Sequence, residues 1–298
     1  MQSFNKNRNI VKGLKISVVI PSLDTEREDN LKKLIEDIKK QTLPPNEIII
    51  VKGVKPRTRA HNVGAEKTRG DIIVFFDDDV RLGNELTIEN MLEPFLKDLK
   101  AGIVGASLIS PPDASFFQKI CASQLLRAQF GIVKETIESD MTTHAALAVP
   151  RDLYWEIGGE DESLRMNDDL FLRCKIREKG YKILIAKNTW VYHRQSDSLT
   201  KLLKKYFSQG IDQAHDYKLK PNLIYESPLK QGEFPRKSNL PRQIIRNLKI
   251  ILKSIFTIKP ILLISRLATA SGFVYGYIKT PIEKEPTNQG QVEIIKIK

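Results

Sequence analysis

The sequence predicts an α/β fold on a mostly parallel sheet with helical crossovers, and three observations carry that prediction. Three short apolar runs, "ISVVIPS", "EIIIV" and "DIIVFF", recur within the first eighty residues. Each gap between them holds a segment of helical spacing rather than a tight turn, the pattern of strands joined by crossovers. The third run ends in three consecutive carboxylates, Asp77, Asp78 and Asp79. Open sheets of this kind bind ligands beyond the carboxyl ends of their strands, and those acids stand at such an end.

The elements follow in order. "LKISVVIPSLD" (14–24) is a strand closed by Pro21. "DNLKKLIEDIKKQ" (29–41) places Leu31, Leu34, Ile35 and Ile38 on one helical face. "EIIIV" (47–51) follows the Pro44-Pro45 break as a second strand, and "RTRAHNVGAEKTRG" (57–70) reads as a short helix ending at Gly70. After the acidic strand come a helix in 84–99, strands at 101–109 and 143–149, and an amphipathic helix over 168–180 stopped by Gly180. "YKILIA" and "NTWVYH" read as two further strands, and from Lys201 the chain turns helical and basic. There is no internal repeat.

A chain of 298 residues with 41% hydrophobic content is long and apolar enough for a sizeable core, which excludes disorder as its class. Its net charge of +12 is uneven: residues 201–298 hold 18 Lys/Arg and 7 Asp/Glu, leaving 30 and 29 in residues 1–200. A nearly neutral body thus carries a basic last third, which points to an anionic partner. Cys121 and Cys174 have no metal-type spacing and read as free thiols of a reducing compartment. The N-terminus has no apolar signal core, so the expected location is cytoplasmic.

Three like charges closing a buried strand need a positive counterpart or a wet edge. An Asp-x-Asp pair there suits Mn²⁺ or Mg²⁺, which take oxygen ligands from one or two carboxylates and from substrate phosphates. Asp24 and Lys52 stand at the same edge. The basic stretch "VKGVKPRTR" offers Lys52, Lys55, Arg57 and Arg59 either to phosphates or to solvent. Trp155 and Trp190 read as core residues, and His144 as a lone structural histidine.

In order and spacing, "ISVVIPSLD", "EIIIV", "HNVGAEKTRGDIIVFFDDDV", "IGGEDESL" and "NDDLFLRCKIREKGYKI" resemble the family 2 glycosyltransferases over roughly residues 14–215. The resemblance implies a GT-A (Rossmann-like) fold, a mixed, mostly parallel sheet flanked by helices, here with a C-terminal basic helical extension over 216–298. It implies inverting transfer from a nucleotide-sugar donor to a glycan or lipid-linked hydroxyl. Asp77 and Asp79 match the metal- and diphosphate-binding element, and His193 falls where a histidine often lies near the metal. Pro21, Asp24, Arg59, Asn62, Asp77 and Asp78 are the expected donor-binding residues. Asn62 and Gly64 match the family's Asn-x-Gly, and Gly158, Gly159, Asp161 and Glu162 match its Gly-Gly-Phe-Asp-Glu turn, with Glu160 where phenylalanine is usual.

Two departures stand out. The family's acidic stretch after the second strand is replaced by "VKGVKPRTR", so the base of the nucleotide is not legible. Counting back from Arg173 puts Asn167 at the usual catalytic base, whereas counting forward from the Gly-Gly turn puts Asp168 and Asp169 there. Asparagine cannot accept the acceptor's proton, so the base is expected at Asp168 or Asp169. Both acids also suit a helix N-terminus. A haloacid-dehalogenase-type phosphohydrolase, with Asp77 as nucleophile and Asp79 as acid/base, is a rival reading, but that motif normally sits on a first strand and two strands precede it here. A non-catalytic membrane- or nucleic-acid-binding protein on a degenerate transferase scaffold is another. With a transferase, no nucleic-acid partner is expected.

In "PRQIIRNLKIILKSIF" (241–256), Arg242, Arg246, Lys249 and Lys253 share one helical face, and Ile244, Ile245, Leu248, Ile251, Leu252 and Ile255 share the opposite one. That pattern predicts a helix lying on the cytoplasmic face of a membrane. "PILLISRLATASGFVYGYI" (260–278) is apolar but interrupted by Arg266, short of a confident span.

Overall fold

The computed structural model describes residues 13–23, 28–166, 168–222, 224–230, 232–279 and 290–297. In chain order, β1 (Ile16–Ser22), α1 (Glu28–Lys39), β2 (Glu47–Lys52), α2 (Arg57–Lys67) and β3 (Ile72–Phe75) form the predicted alternating unit. Then come β4 (Val80–Leu82), α3 (Thr87–Lys97), β5 (Ala101–Ile109), α4 (Phe116–Gln124), β6 (Ile137–Glu138), β7 (Leu147–Pro150) and α5 (Arg151–Glu156). The chain continues with α6 (Asp168–Glu178), β8 (Lys182–His193), α7 (Leu199–Leu219), β9 (Tyr225–Glu226) and β10 (Arg236–Lys237). It closes with α8 (Leu240–Phe256), α9 (Pro260–Lys279) and β11 (Gln291–Lys296).

The main sheet runs β11-β2-β1-β3-β7-β5-β8-β4, with β6 on β8. β2, β1 and β3 are parallel, as are β5 and β8, while β7, β4, β6 and β11 add antiparallel pairings. Because β1 lies between β2 and β3, the chain leaves β1 toward one side and β3 toward the other. The crevice at that switch lies beyond Ser22 and Phe75.

Alternation along the strands builds two apolar layers. Val18, Ile20, Ile48, Ile50 and Val74 face α1 and α3, whose Leu34, Ile38, Met91 and Leu92 cover them. Val19, Ile49, Val51, Ile73 and Phe75 face α2, α5 and α6 on the other side, against Ala60, Leu153 and Leu172. Gly64 belongs to this packing: a Cβ there would lie 2.3 Å from Val19 Cγ1, so only glycine lets α2 sit this close to β1.

Four sequence expectations change. The strand expected over 143–149 begins at Leu147, and the freed residues 143–146 form a turn that carries His144. The two strands expected after Tyr181 are one twelve-residue strand, β8, whose partner register slips between Gly105 and Ser107; Asn188 there has φ 50°. The C-terminal region is not wholly helical, since β11 pairs antiparallel with β2 and returns the chain to the main sheet. The boundary expected at 215/216 falls inside α7, which crosses α9 closely: a Cβ on Gly272 would stand 2.0 Å from the Phe207 carbonyl oxygen. Cys121 and Cys174 are both buried and free, and burial pushes the Cys174 thiol up to about 12.

Candidate active site

β3 delivers its acids to the crevice in an alternating way. Asp78, 4% exposed, accepts a hydrogen bond from the Ser22 hydroxyl at 2.7 Å, and its carbonyl accepts one from Asn30 Nδ2 at 2.7 Å. The side chains of Asp77 and Asp79 on either side keep 21% and 28% of their surface in solvent. The middle acid is therefore absorbed by β1 and α1, and the outer two stand at a wet edge, which resolves how three carboxylates can close a buried strand.

Cations and a histidine gather round the outer pair. Arg57, the first residue of α2, has its Nη1 3.9 Å from Asp77 Oδ1. The β4–β8 register sets Val80 opposite His193, so Asp79 and the end of β8 are brought together, with His193 Nε2 3.7 Å from Asp79 Oδ1. Gln195 Nε2 lies 3.3 Å from the other ring nitrogen and fixes which edge of the imidazole faces Asp79. Carboxylate and imidazole are ligand types that a Mg²⁺- or Mn²⁺-type ion takes; here Asp79 meets His193, and Asp77 faces Arg57.

The other expected donor residues divide. Pro21 is buried at the end of β1, paired with Val51. Asp24 lies outside the described residues. Arg59 is 3.7 Å from Glu162 Oε2, and Lys52 Nζ is 3.6 Å from Glu293 of β11. Asn62 braces the double-glycine turn: its Nδ2 donates to the Glu160 carbonyl at 2.9 Å and to Glu162 at 3.0 Å, while its Oδ1 accepts from the Glu160 N–H and the Tyr154 hydroxyl. Gly159 has φ 64°, and a Cβ on it would stand 2.7 Å from Asn62 Oδ1, so the turn requires glycine there. Trp155 packs edge-on against Tyr154, and Trp190 lies against Gly83.

Across the crevice, α6 begins at Asp168. Asn167 and the side chain of Asp168 lie outside the described part of the structure. Asp169 faces Arg173, one turn on, at 3.1 Å. Arg173 is 1% exposed, and its Nε reaches Asp140 at 3.1 Å and its Nη1 the Thr142 carbonyl at 2.7 Å. Burial opposes the Asp169 carboxylate, but the charges of Arg173, His144, Arg127 and Arg57 bring its pKa down to about 2. For the fully buried Asp140 burial prevails over Arg173, and its pKa is raised. Burial likewise opposes the Glu160 carboxylate, yet His144 and His61 more than reverse the effect and hold it well below the usual range. His144, isolated in the sequence, is thus part of this charged group.

Sequence reasoning missed one brace altogether. Asp216, near the end of α7, accepts the backbone N–H groups of Arg165 and Met166 at 2.9 and 3.0 Å, pinning the approach to α6. Lys220 pairs with Asp161 beside it. No local pattern marks "QAHDYKLK" for this task.

The comparisons with known proteins agree with this architecture. The chain is 22% identical over 228 residues to the O-antigen chain rhamnosyltransferase RfbN of Salmonella typhimurium, covering 66% of this chain and 72% of that protein. Its fold is similar to that of the mannosyltransferase PcManGT from Pyrobaculum calidifontis, solved with GDP-Man and Mn²⁺. The TM-score is 0.55 at 11% identity, over 90% of this chain and 88% of the other. The phosphohydrolase reading and the non-catalytic reading are thereby set aside. The model of the glycosyltransferase-like family 2 matches residues 28–210, more than half of the chain, and the protein belongs to that family as a GT-A-fold glycosyltransferase using nucleotide-sugar donors.

Proposed function

We propose that this chain is a metal-dependent, inverting glycosyltransferase that moves a sugar from a nucleotide-sugar donor to a hydroxyl of a glycan or lipid-linked acceptor. The observation that carries the reading is the half-exposed pair Asp77 and Asp79 beside His193 at the strand-order switch. Asp77, Asp79 and His193 would hold Mn²⁺ or Mg²⁺, which when bound supplies positive charge to the departing diphosphate. Arg57 adds a fixed cation on the same side. Asp78, Ser22 and Asn30 keep β3 in place, and Asn62 holds the double-glycine turn.

The base is assigned to Asp168. Asp169 is committed to Arg173, and a carboxylate with a pKa of about 2 has little affinity for an acceptor proton. Asp168 takes the proton as the hydroxyl attacks the anomeric carbon in line with the leaving diphosphate, so configuration inverts. The test is a panel of GDP-, UDP- and dTDP-sugars with Mn²⁺ or Mg²⁺, scored for nucleotide release. Asp168→Asn should lower transfer by about 10²–10⁴-fold and leave donor binding intact. Near-normal turnover in that variant would move the base elsewhere.

The acceptor reading is supported by α8. Ile244, Ile245, Leu248, Leu252 and Ile255 are each 50–55% exposed and Phe256 is 84% exposed, so the apolar face is not buried in the chain. Arg242, Lys249 and Lys253 on the polar face are exposed. An exposed apolar face flanked by lysine and arginine suits an anionic membrane surface and so a lipid-linked acceptor, and the relative named as an O-antigen chain rhamnosyltransferase fits a glycan-chain acceptor. These features support the reading of a peripheral protein at the cytoplasmic face of a membrane. α9 is long and apolar enough to cross a membrane by length and composition, yet it packs against α7. Flotation with anionic liposomes should be lost when Ile245, Leu248 and Leu252 are replaced by serine. Equal flotation of both proteins would remove the membrane role.

A further inference from the structure

The turn that joins α8 to α9 displays two apolar side chains for which the fold has no use. Phe256 is 84% exposed and Ile258 83%, more than any residue of the apolar face of α8 before them. Phe256 stands about three helical turns beyond Ile245 and so continues that face.

The backbone of the turn is closed. The N–H of Ile258 donates to the Ile255 carbonyl at 3.1 Å and that of Lys259 to the Ser254 carbonyl at 2.8 Å, the paired bonds of a Schellman cap. Ile258 occupies its left-handed position, with φ 50°. Glycine is the usual residue there, and a β-branched side chain is strained in that region of backbone space. Among the described residues Arg127 and Asn188 are the other non-glycines with positive φ, and neither is β-branched. An isoleucine that is both strained and left in water does nothing for the fold taken alone. Contact with something outside the chain gives it a purpose.

The inner side of the turn is anchored. Ser254 is 1% exposed, and its hydroxyl donates to the Ile251 carbonyl at 2.6 Å. Ile261 and Leu262, at the start of α9, are buried, and the Ile261 N–H donates to Gln124 Oε1 of α4 at 2.9 Å. The outer side offers Phe256 and Ile258 with Lys253 and Lys259 on either side of them. Thr257, between the two apolar residues, sends both its N–H and its hydroxyl to the Lys253 carbonyl, at 2.9 and 2.7 Å. The tip can therefore leave water without carrying a bare donor with it. Lysine stems cover apolar surface while their ammonium groups stay at a wet, anionic layer. An apolar tip between lysines, continuing a basic amphipathic helix, matches acyl chains below and anionic headgroups beside it.

We propose that the α8–α9 turn inserts into a membrane: Phe256 and Ile258 pass below the headgroups of an anionic leaflet, and Lys253 and Lys259 stay at headgroup level. The proposal rests on the reading of α8 as a membrane-surface helix and adds the point at which the protein enters the bilayer. α4, nine residues and about 14 Å long, joins the anchored turn at Gln124 to the crevice. There Gln118 Nε2 donates to the Gln195 carbonyl at 2.9 Å, and the Gln195 side chain meets His193. Insertion thus keeps the crevice close to the leaflet, where a lipid-linked acceptor presents its sugar.

The full chain is tested on vesicles of phosphatidylcholine and phosphatidylglycerol in about 0.5 M salt, where charge attraction is screened and the apolar contribution remains. Replacing Phe256 and Ile258 together by serine should weaken binding by about 30- to 1000-fold. Phe256→Trp should be quenched by lipids brominated on their acyl chains, beyond any quenching of Trp155 and Trp190 in the parent. Ile258→Gly separates the tip from the fold: relief of strain should raise the thermal midpoint by about 1–3 °C while vesicle binding weakens about 3- to 30-fold. Parental binding in the double variant, or no added quenching in Phe256→Trp, overturns insertion. So does a lowered midpoint in Ile258→Gly, which would make the isoleucine a structural cap. A dimer of the parent that the double variant dissolves, without quenching in Phe256→Trp, would assign the tip to a second copy of the chain. If the parent does not float at all, the membrane reading of α8 fails and insertion falls with it. If serine at Ile245, Leu248 and Leu252 abolishes flotation while the tip variants bind like the parent, insertion alone fails.

Discussion

The side chains of Asp77 and Asp79 keep 21% and 28% of their surface in solvent, whereas those of Asp140 and Glu160 keep 1% or less, although all four lie near one crevice. The edge pair is flanked at 3.7–3.9 Å by Arg57 and His193, too far for direct hydrogen bonds. The buried acids sit 2.6–3.1 Å from His144, His61 or Arg173. A carboxylate in the core is tolerable only with a cation in contact, and one at a wet edge can keep its charge for a ligand. The same residue type is thus locked into the scaffold in one place and left open to solvent in the other.

Removing an edge acid tests the chemical half of that contrast. Asp79→Asn should lower turnover by about 10³-fold or more, since the charge proposed to receive the metal is lost, and should leave thermal unfolding nearly unchanged. Unchanged metal and nucleotide affinity by calorimetry would place the site elsewhere. The core row should respond in the opposite sense. Arg173→Ala leaves Asp140 and Asp169 without their shared cation and should cost about 3–5 kcal/mol in denaturant unfolding. A loss under about 1 kcal/mol would mean that the row contributes little to the fold.

Acid titration sharpens the comparison further. The folded pKa of Asp169, about 2, lies below its unfolded value near 3.9, so its contribution is present above the unfolded value and is lost as pH falls through the folded one. The chain should lose about 2 kcal/mol from this group between roughly pH 5 and pH 2. Asp169→Asn should flatten that part of the unfolding profile, and a variant profile parallel to the parent would contradict the pairing. The smallest effect is expected at Ser22→Ala, which takes one hydroxyl from the buried Asp78. It should cost about 1 kcal/mol, read by denaturant midpoint at neutral pH.

Much of the fold was legible because strand and helix periodicities are local. The β-branched runs at 16–22, 47–52 and 72–75 and the helical spacing between them reappear as the parallel unit. The amphipathic pattern of 241–256 reappears as α8. The turn at 143–146 was not legible, since its apolar residues mimic a strand and only the packing of His144 on Phe75 shows otherwise. β11 was hidden because "QVEIIK" has no neighbour in sequence to pair with and finds β2 some 240 residues upstream.

What the sequence by itself determined was where the distinctive local features lie: acids at a strand end, a double-glycine turn, and two aspartates opening a helix. Those features depend on backbone direction and side-chain type, both written locally. Only the tertiary structure decided how the charges are shared. It turned Asp78 to Ser22, gave Asp169 to Arg173, made Asn62 a brace of the turn and brought His61, His144 and Glu160 into one buried row. Each of these pairs except Asp169–Arg173 joins residues at least 16 positions apart, so no local spacing encodes them. Burial then made the pairing obligatory, because an unpaired charge in that core would cost more than the marginal stability of a fold allows.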